Sequence, residues 1–319
     1  MDSKRSSHAS RQLLPADPLR RRMLGAAAAA GAGALVSAPL LRAQTGAGDV
    51  VYVPTPQVVV NRMMSMARVG PADFVIDLGS GDGRQLITAV AKFGARGGRG
   101  YDLDDELLRQ ANDNAKKQGV AERVTFTKRN MFETDVSAAS VITLYLLPDL
   151  NLRLRPKLLA ELRPGSRIVS HDYNMGDWQA EESVTMQVPE KQVGNPGVSY
   201  VYLWIVPANV SGTWQWKLPG GQPVEMSVRQ RLQEIEVRGT AGGKPVNVTL
   251  ATMRGEDLRI TAMVDINGRT LRHDFTGRVR GDTVEGTLRL FDKVESSVPW
   301  SASRTGGKVV SIDPSAGVR

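Results

Sequence analysis

The chain has 319 residues, 41% of them hydrophobic, which is enough for one or two buried cores. It has no cysteine, which excludes disulfides, thiolate catalysis and cysteine-held metal centres. The net charge of +8 is unevenly placed: residues 1–43 carry +5 and the rest only +3, too little to suggest a nucleic-acid surface.

The basic excess has a local reason. Arg20-Arg21-Arg22-Met23-Leu24 precedes an apolar run rich in Ala and Gly, from Gly25 to Leu41, followed by Arg42-Ala43. A basic region, a mildly hydrophobic stretch and a small residue at the end read as a secretory signal over residues 1–43. The paired arginines are similar to the twin-arginine (Tat) signal of bacteria, which implies export to the periplasm and cleavage after Ala43. An uncleaved anchor is the rival reading. Pro39 and the many small residues make the run a poor spanning helix, so no transmembrane segment is expected after cleavage.

Residues 50–206 read as an α/β domain. Val50 to Pro56 is an extended lead in which Thr55 is expected to cap a helix over 57–68, with Pro56 at its first position. A strand over 74–78 runs into Gly79-Ser80-Gly81-Asp82-Gly83, and a helix over 84–93 follows. Strand, glycine turn and helix make the first unit of a doubly wound sheet. The turn lets a ligand approach the backbone, and the helix start offers it free N–H groups. A dinucleotide fingerprint has a glycine where Arg84 stands, which speaks against a nicotinamide cofactor. A second strand over 99–102 ends at Asp102, 19 positions beyond Gly83, where an acid can accept hydrogen bonds from ribose hydroxyls. Asp104, Asp105 and Glu106 suit the start of a helix over 106–118. Strands over 124–126, 140–146 and 167–170 follow, with a helix over 151–162. A closing antiparallel pair is expected over 183–188 and 199–206.

The glycine turn after Asp77-Leu78 is similar to motif I of class I S-adenosylmethionine (SAM) methyltransferases. Beyond it, YVPTP, DLGSGDGR, YDLDDEL, VITLYLLPDLN and LRPGSRIVSHDYNMGDW, in that order, resemble one branch of that class. The branch includes the mitochondrial lysine methyltransferases of the ATP synthase c-subunit and of the adenine nucleotide translocase. The resemblance covers residues 50 to about 180. It implies a Rossmann-like methyltransferase sheet, SAM as cofactor and a protein lysine as methyl acceptor. Asp77, Gly79, Ser80, Gly81, Gly83 and Asp102 would then bind SAM. Asn130 stands where members commonly carry Asp near the adenine amino group; its side-chain oxygen can accept that bond, and the Met131 N–H could reach a ring nitrogen. Pro54, Thr55 and the stretch from Tyr145 to Pro148 would lie near the acceptor.

Methyl transfer from a sulfonium is an in-line displacement, so the protein mainly supplies alignment and a neutral acceptor. An apolar channel deprotonates a lysine by disfavouring its ammonium, and no strong base is required. Tyr145, His171 and Asp172, at strand ends on the ligand side, are the candidate catalytic residues. For His171 and Asp172 a structural role stays equally open. Tyr145-Leu146-Leu147-Pro148 offers no planar amide like the Asn-Pro-Pro-Tyr tetrad of amino-methylating nucleic-acid enzymes, so no nucleic-acid partner is expected. The three histidines, His8, His171 and His273, show no metal-ligand spacing with acids, and no metal site is expected. An exported enzyme has no obvious supply of SAM. That keeps a second reading open, a non-catalytic protein of this fold that binds a nucleoside-like ligand or a protein partner.

After Pro207 helical periodicity gives way to alternation. Eight short strands over 207–304, with turns such as Asn267-Gly268, predict a small antiparallel β-barrel or sandwich domain. It loosely resembles lipocalin-like modules. Trp214, Trp216 and Trp300 are expected to plug its interior, and residues 305–319 to form a flexible tail.

Overall fold

The computed structural model describes residues 52–292 and 294–315. The expected signal, its cleavage after Ala43, His8 and the end of the tail from residue 316 lie outside the described residues.

The lead enters helix α1 (Gln57–Met66), whose Val59, Val60, Met63 and Met64 are buried. Strand β1 (Phe74–Leu78) runs through the glycine turn into α2 (Arg84–Ala91). Then come β2 (Gly97–Asp102), α3 (Asp105–Lys117), β3 (Val124–Lys128) and β4 (Val141–Leu144). They are followed by α4 (Pro148–Glu161), β5 (Arg167–His171), β6 (Glu182–Val188) and β7 (Gly197–Ile205). The Asp104 carboxylate caps α3 by accepting from the Glu106 and Leu107 N–H groups, and the acidic start and basic end of that helix suit its dipole. Helix α4 starts earlier than expected because Pro148 supplies a ready-made first turn. Thr55 does not cap α1. Pro56 stands at the N-cap without a side-chain bond, and the Thr55 hydroxyl turns instead to the buried ring of His171.

These seven strands form one sheet in the order β3-β2-β1-β4-β5-β7-β6, with β7 antiparallel to both β5 and β6. Alternation splits the strand residues between two cores. Val75, Val141, Val169 and Val201 join α1, α2 and α3 on one face, and Ile76, Ile142, Ile168 and Trp204 join α4 on the other. Burying each such aliphatic side chain contributes about 1.5–3 kcal/mol. The strand order reverses between β1 and β4, and sheets of this kind bind ligands at the carboxyl ends of the strands at such a point.

The second sheet comprises β8 (Gly212–Lys217), β9 (Pro223–Arg231), β10 (Glu234–Ala241), β11 (Lys244–Pro245) and β12 (Asn247–Arg254). It continues with β13 (Asp257–Ile266), β14 (Arg269–Arg280), β15 (Thr283–Phe291) and β16 (Glu295–Gly306). The nine strands are antiparallel in the order β11-β10-β9-β8-β16-β15-β14-β13-β12, and β10 approaches β12, so the sheet nearly closes into a barrel. The strand expected over 245–252 is divided between β11 and β12, and a bulge between Val248 and Leu250 bends the latter. Trp214, Trp216 and Trp300 are all buried, and the Trp216 ring meets Phe275 at 5.2 Å and Trp300 at 5.6 Å, both edge-on.

The two sheets share buried contacts. Leu232, in the turn between β9 and β10, belongs to the core under α4. Arg155 of α4 is almost fully buried and forms a bidentate pair with Asp313, Nε to Oδ2 at 2.9 Å and Nη2 to Oδ1 at 2.8 Å. The expectation of a flexible tail from residue 305 is therefore corrected. β16 extends to Gly306, and beyond it Ile312 and Asp313 are buried against the first sheet, where Asp313 pairs with Arg155 alongside the Arg155–Asp177 pair.

Candidate functional site

The glycine turn crosses the carboxyl end of β1. Gly79, Gly81 and Gly83 all have positive φ, at 77°, 51° and 79°. A Cβ at Gly81 would stand 2.2 Å from the Tyr52 ring, so the lead packs directly on the turn. Asp102 ties the turn to β2: its Oδ2 accepts from the Gly81 N–H at 2.8 Å, and its Oδ1 accepts from the N–H groups of Leu103 and Asp104. The carboxylate is thus held rigidly at the sheet edge, half-exposed. Arg84 clamps Asp82 through Nε and Nη2 and donates from Nη1 to the Thr55 carbonyl at 3.0 Å. The residue that spoiled the dinucleotide fingerprint therefore anchors the lead over the turn.

Asp77 is fully buried beneath the turn. Its Oδ1 accepts from the Thr143 hydroxyl at 2.7 Å, while its Oδ2 has no hydrogen-bond partner. Burial pushes its carboxyl up to about 8. The Ser80 hydroxyl is likewise buried without a partner.

A second cluster lies past the ends of β4 and β5. His171 is fully buried, with Nδ1 3.2 Å from the Thr55 hydroxyl and Nε2 3.0 Å from the Ser199 hydroxyl. Its ring lies 4.0 Å from that of Tyr145. Burial lowers its pKa to about 4, so it is neutral at physiological pH. Asp172 adopts φ 61°, which turns its carboxylate back into the cluster. Oδ1 accepts from the Tyr200 N–H at 3.1 Å, and Oδ2 accepts from Lys191 Nζ at 2.5 Å. The Tyr145 hydroxyl stands 3.5 Å from the same Oδ2, and burial holds it protonated.

The structure brings most of the expected residues to this one edge. Asp77, Gly79, Ser80, Gly81, Gly83 and Asp102 gather at β1 and β2, and Tyr145, His171, Asp172 and Thr55 gather at β4 and β5. Thr55 joins the two groups, its carbonyl bound to Arg84 and its hydroxyl to His171. Pro54 and Pro148 are exposed at the rim. Asn130 closes a local turn: its Oδ1 accepts from the Phe132 N–H at 3.0 Å, which leaves that oxygen a second lone pair, and its Nδ2 donates to Glu133. The Met131 side chain packs on the core beneath β1 and β4. Neither ring nitrogen of His171 is left for an acceptor, and Asp172 is paired with a cation. Ser199 and Lys191 were not singled out in the sequence, and Tyr52 entered only as the first residue of YVPTP. Among the described residues no cluster is placed to hold a metal ion, and no helix is long and apolar enough to cross a membrane.

Residues 77–182 match the family described as the ANTKMT methyltransferase domain. A protein-lysine N-methyltransferase of Saccharolobus islandicus is 44% identical over 138 residues, covering 43% of this chain and 86% of the relative. The chain belongs to the class I SAM-dependent methyltransferases and is related to the ANTKMT branch. The adenine nucleotide translocase lysine N-methyltransferase of mouse is 31% identical over 131 residues, 41% of this chain and 56% of that protein, so the chain spans little more than half of that relative. An RNA methyltransferase of Salinibacter ruber, solved with S-adenosyl-L-homocysteine, is 44% identical and covers 50% of this chain and 96% of that one, at a TM-score of 0.45.

The methyltransferase cofactor is SAM, and the residues of the edge fit it. A sugar needs a fixed acceptor for its hydroxyls, and Asp102 is one. The ligand's ammonium can supply the donor that Asp77 Oδ2 lacks, and its charge would favour the ionised carboxylate that burial alone disfavours. The turn must let the ligand lie against backbone, and side chains at Gly79, Gly81 and Gly83 would meet strained φ and close neighbours.

Proposed function

We propose that this methyltransferase acts on the side-chain amine of a protein lysine. The observation that carries the reading is the adjacency of the Asp77–Asp102 turn to a buried corner of Tyr145, His171 and Asp172 in which no free base is presented. That arrangement suits a reaction needing alignment and desolvation rather than proton abstraction by a strong base. The archaeal and mouse relatives, both named as lysine N-methyltransferases, support the same class.

When bound, SAM supplies an electrophilic methyl group on a sulfonium. In this reading Asp102 holds the ribose hydroxyls, Asp77 faces the ammonium of the methionyl part, and the backbone from Gly79 to Gly83 follows the ligand's length. Tyr145 lines the acceptor channel, while His171, bonded to Thr55 and Ser199, fixes its ring. The lysine nitrogen would have to receive the methyl group as the neutral amine, and its surplus proton would pass to water.

Tritiated SAM, the full chain and a membrane-plus-soluble protein extract test the reading. Label recovered as methyl-lysine by mass spectrometry, lost with Asp102→Ala, supports it; label recovered only in RNA or not at all contradicts it. We also propose the export read from Arg20 and Arg21. Fractionation of the Arg20→Lys/Arg21→Lys variant should retain the protein in the cytoplasm, and an unchanged location refutes export.

A further inference from the structure

Lys191 is a buried charge to which methyl transfer assigns no task. It lies in the turn between β6 and β7, only 4% exposed, and its Nζ donates to Asp172 Oδ2 and to the Val198 carbonyl, each at 2.5 Å. Gly194 passes close to the pair; a Cβ there would stand 3.5 Å from Asp172 Oδ2 and 3.9 Å from Lys191 Cε. A pin for this turn would not need charge: burying an ion pair is costly, and well-packed apolar groups often serve as well. The pair also borders the corner where Tyr145 stands, whose hydroxyl is 3.5 Å from the same carboxylate oxygen.

The other titratable groups facing the pair are Tyr145 from the end of β4, His171 from β5, Tyr173 from the following loop and Tyr202 from β7. Burial keeps His171 neutral and the hydroxyls of Tyr145 and Tyr202 protonated. Among the described residues, Lys191 is therefore the positive charge set directly against Asp172.

We propose that Lys191 is a positioning residue for the acceptor: by neutralising Asp172 it leaves the corner without net negative charge, so that an incoming lysine stays there as the free amine. The inference rests on the lysine reading above. An unpaired Asp172 would pair with the incoming ammonium, stabilise its proton and withhold the lone pair that the reaction needs. With Asp172 already occupied, no carboxylate of the corner opposes loss of that proton.

The test is the pH dependence of kcat, measured with the full chain, saturating SAM and poly-L-lysine as the probe, because kcat reports groups in the bound complex. In Lys191→Met the acid limb should move up by about one pH unit, an about tenfold loss on the limb that is recovered at high pH. Lys191→Met/Asp172→Asn should return the limb to its original position. Asp172→Asn alone, which leaves the Lys191 ammonium unpaired, should move it down. A limb in Lys191→Met that coincides with wild type, or a rate lowered equally at every pH, overturns the proposal. Should Lys191→Met fail to fold, an unmoved limb in Asp172→Asn overturns it instead. Wild type that transfers nothing to poly-L-lysine at any pH overturns the lysine reading itself.

Discussion

In the first sheet Asp77, His171, Asp172 and Lys191 lie below the surface at the carboxyl ends of the strands. In the second sheet the ion pairs Arg238–Glu236, Arg269–Asp292 and Arg289–Glu295 all stand in solvent, while the interior is built from Trp216, Phe275 and Trp300. The Arg304 and His273 side chains are buried polar exceptions there: the Arg304 guanidinium donates to the Asn209 and Ser211 carbonyls and pairs with Asp282, and the His273 Nδ1 is satisfied by the Leu271 carbonyl, with its ring 6.2 Å from Phe275. Burying ionisable groups is costly, and a fold bears that cost where their chemistry or a structural joint needs them. One sheet is thus built to hold a reaction and the other to hold itself together, with Arg155 and Asp313 joining them.

The largest expected effect falls on that joint. Arg155→Ala leaves Asp313 buried and unpaired, at a cost of about 3–5 kcal/mol in denaturant unfolding, and should free the segment after Gly306 to proteases. A loss under about 1 kcal/mol would mean that the two sheets do not depend on this pair. Trp300→Ala should cost about 3–5 kcal/mol as well, through the cavity beside Trp216 and Phe275, yet leave SAM affinity unchanged. Weakened SAM binding in that variant would break the division of labour between the sheets.

Two titrations sharpen the contrast. The folded pKa of His171 lies near 4, below its ordinary 6.5, so the unfolded chain binds more protons between those values. Stability should fall by about 3 kcal/mol as pH drops from about 6.5 to about 4, and His171→Asn should remove most of that slope. The sign is opposite for Asp77, whose carboxyl is pushed up to about 8: stability should decline as pH rises from about 4 towards 8, and Asp77→Asn should flatten that decline. The smallest effect belongs to the second sheet's surface, where Arg289→Ala should change stability by about 0.5 kcal/mol or less.

Much of the first sheet was legible because its signals are local. The strand over 74–78, the glycine turn and the acid at 102 follow from alternation, positive φ and residue type, all readable within a short window. The second sheet was legible strand by strand, but its near closure was not, since the approach of β10 to β12 depends on a bulge and on accumulated twist. What the sequence hid are the long-range polar bonds. Thr55 read as a helix cap because Pro56 follows it, yet its hydroxyl bonds to His171, 116 positions away. Asn130 read as a base contact, and it also closes its own turn, a local bond not singled out in the sequence. Lys191 was not singled out and Asp313 fell in the expected tail, and only their partners show why they are buried.

The central claim, that the turn from Gly79 to Gly83 with Asp77 and Asp102 is a working SAM site, is most directly tested by isothermal calorimetry of the full chain with SAM. One-to-one binding is expected, weakened at least about tenfold in Asp102→Ala through loss of charge-assisted hydrogen bonds to the ribose. Absence of binding in wild type, or unchanged affinity in Asp102→Ala, would contradict the account.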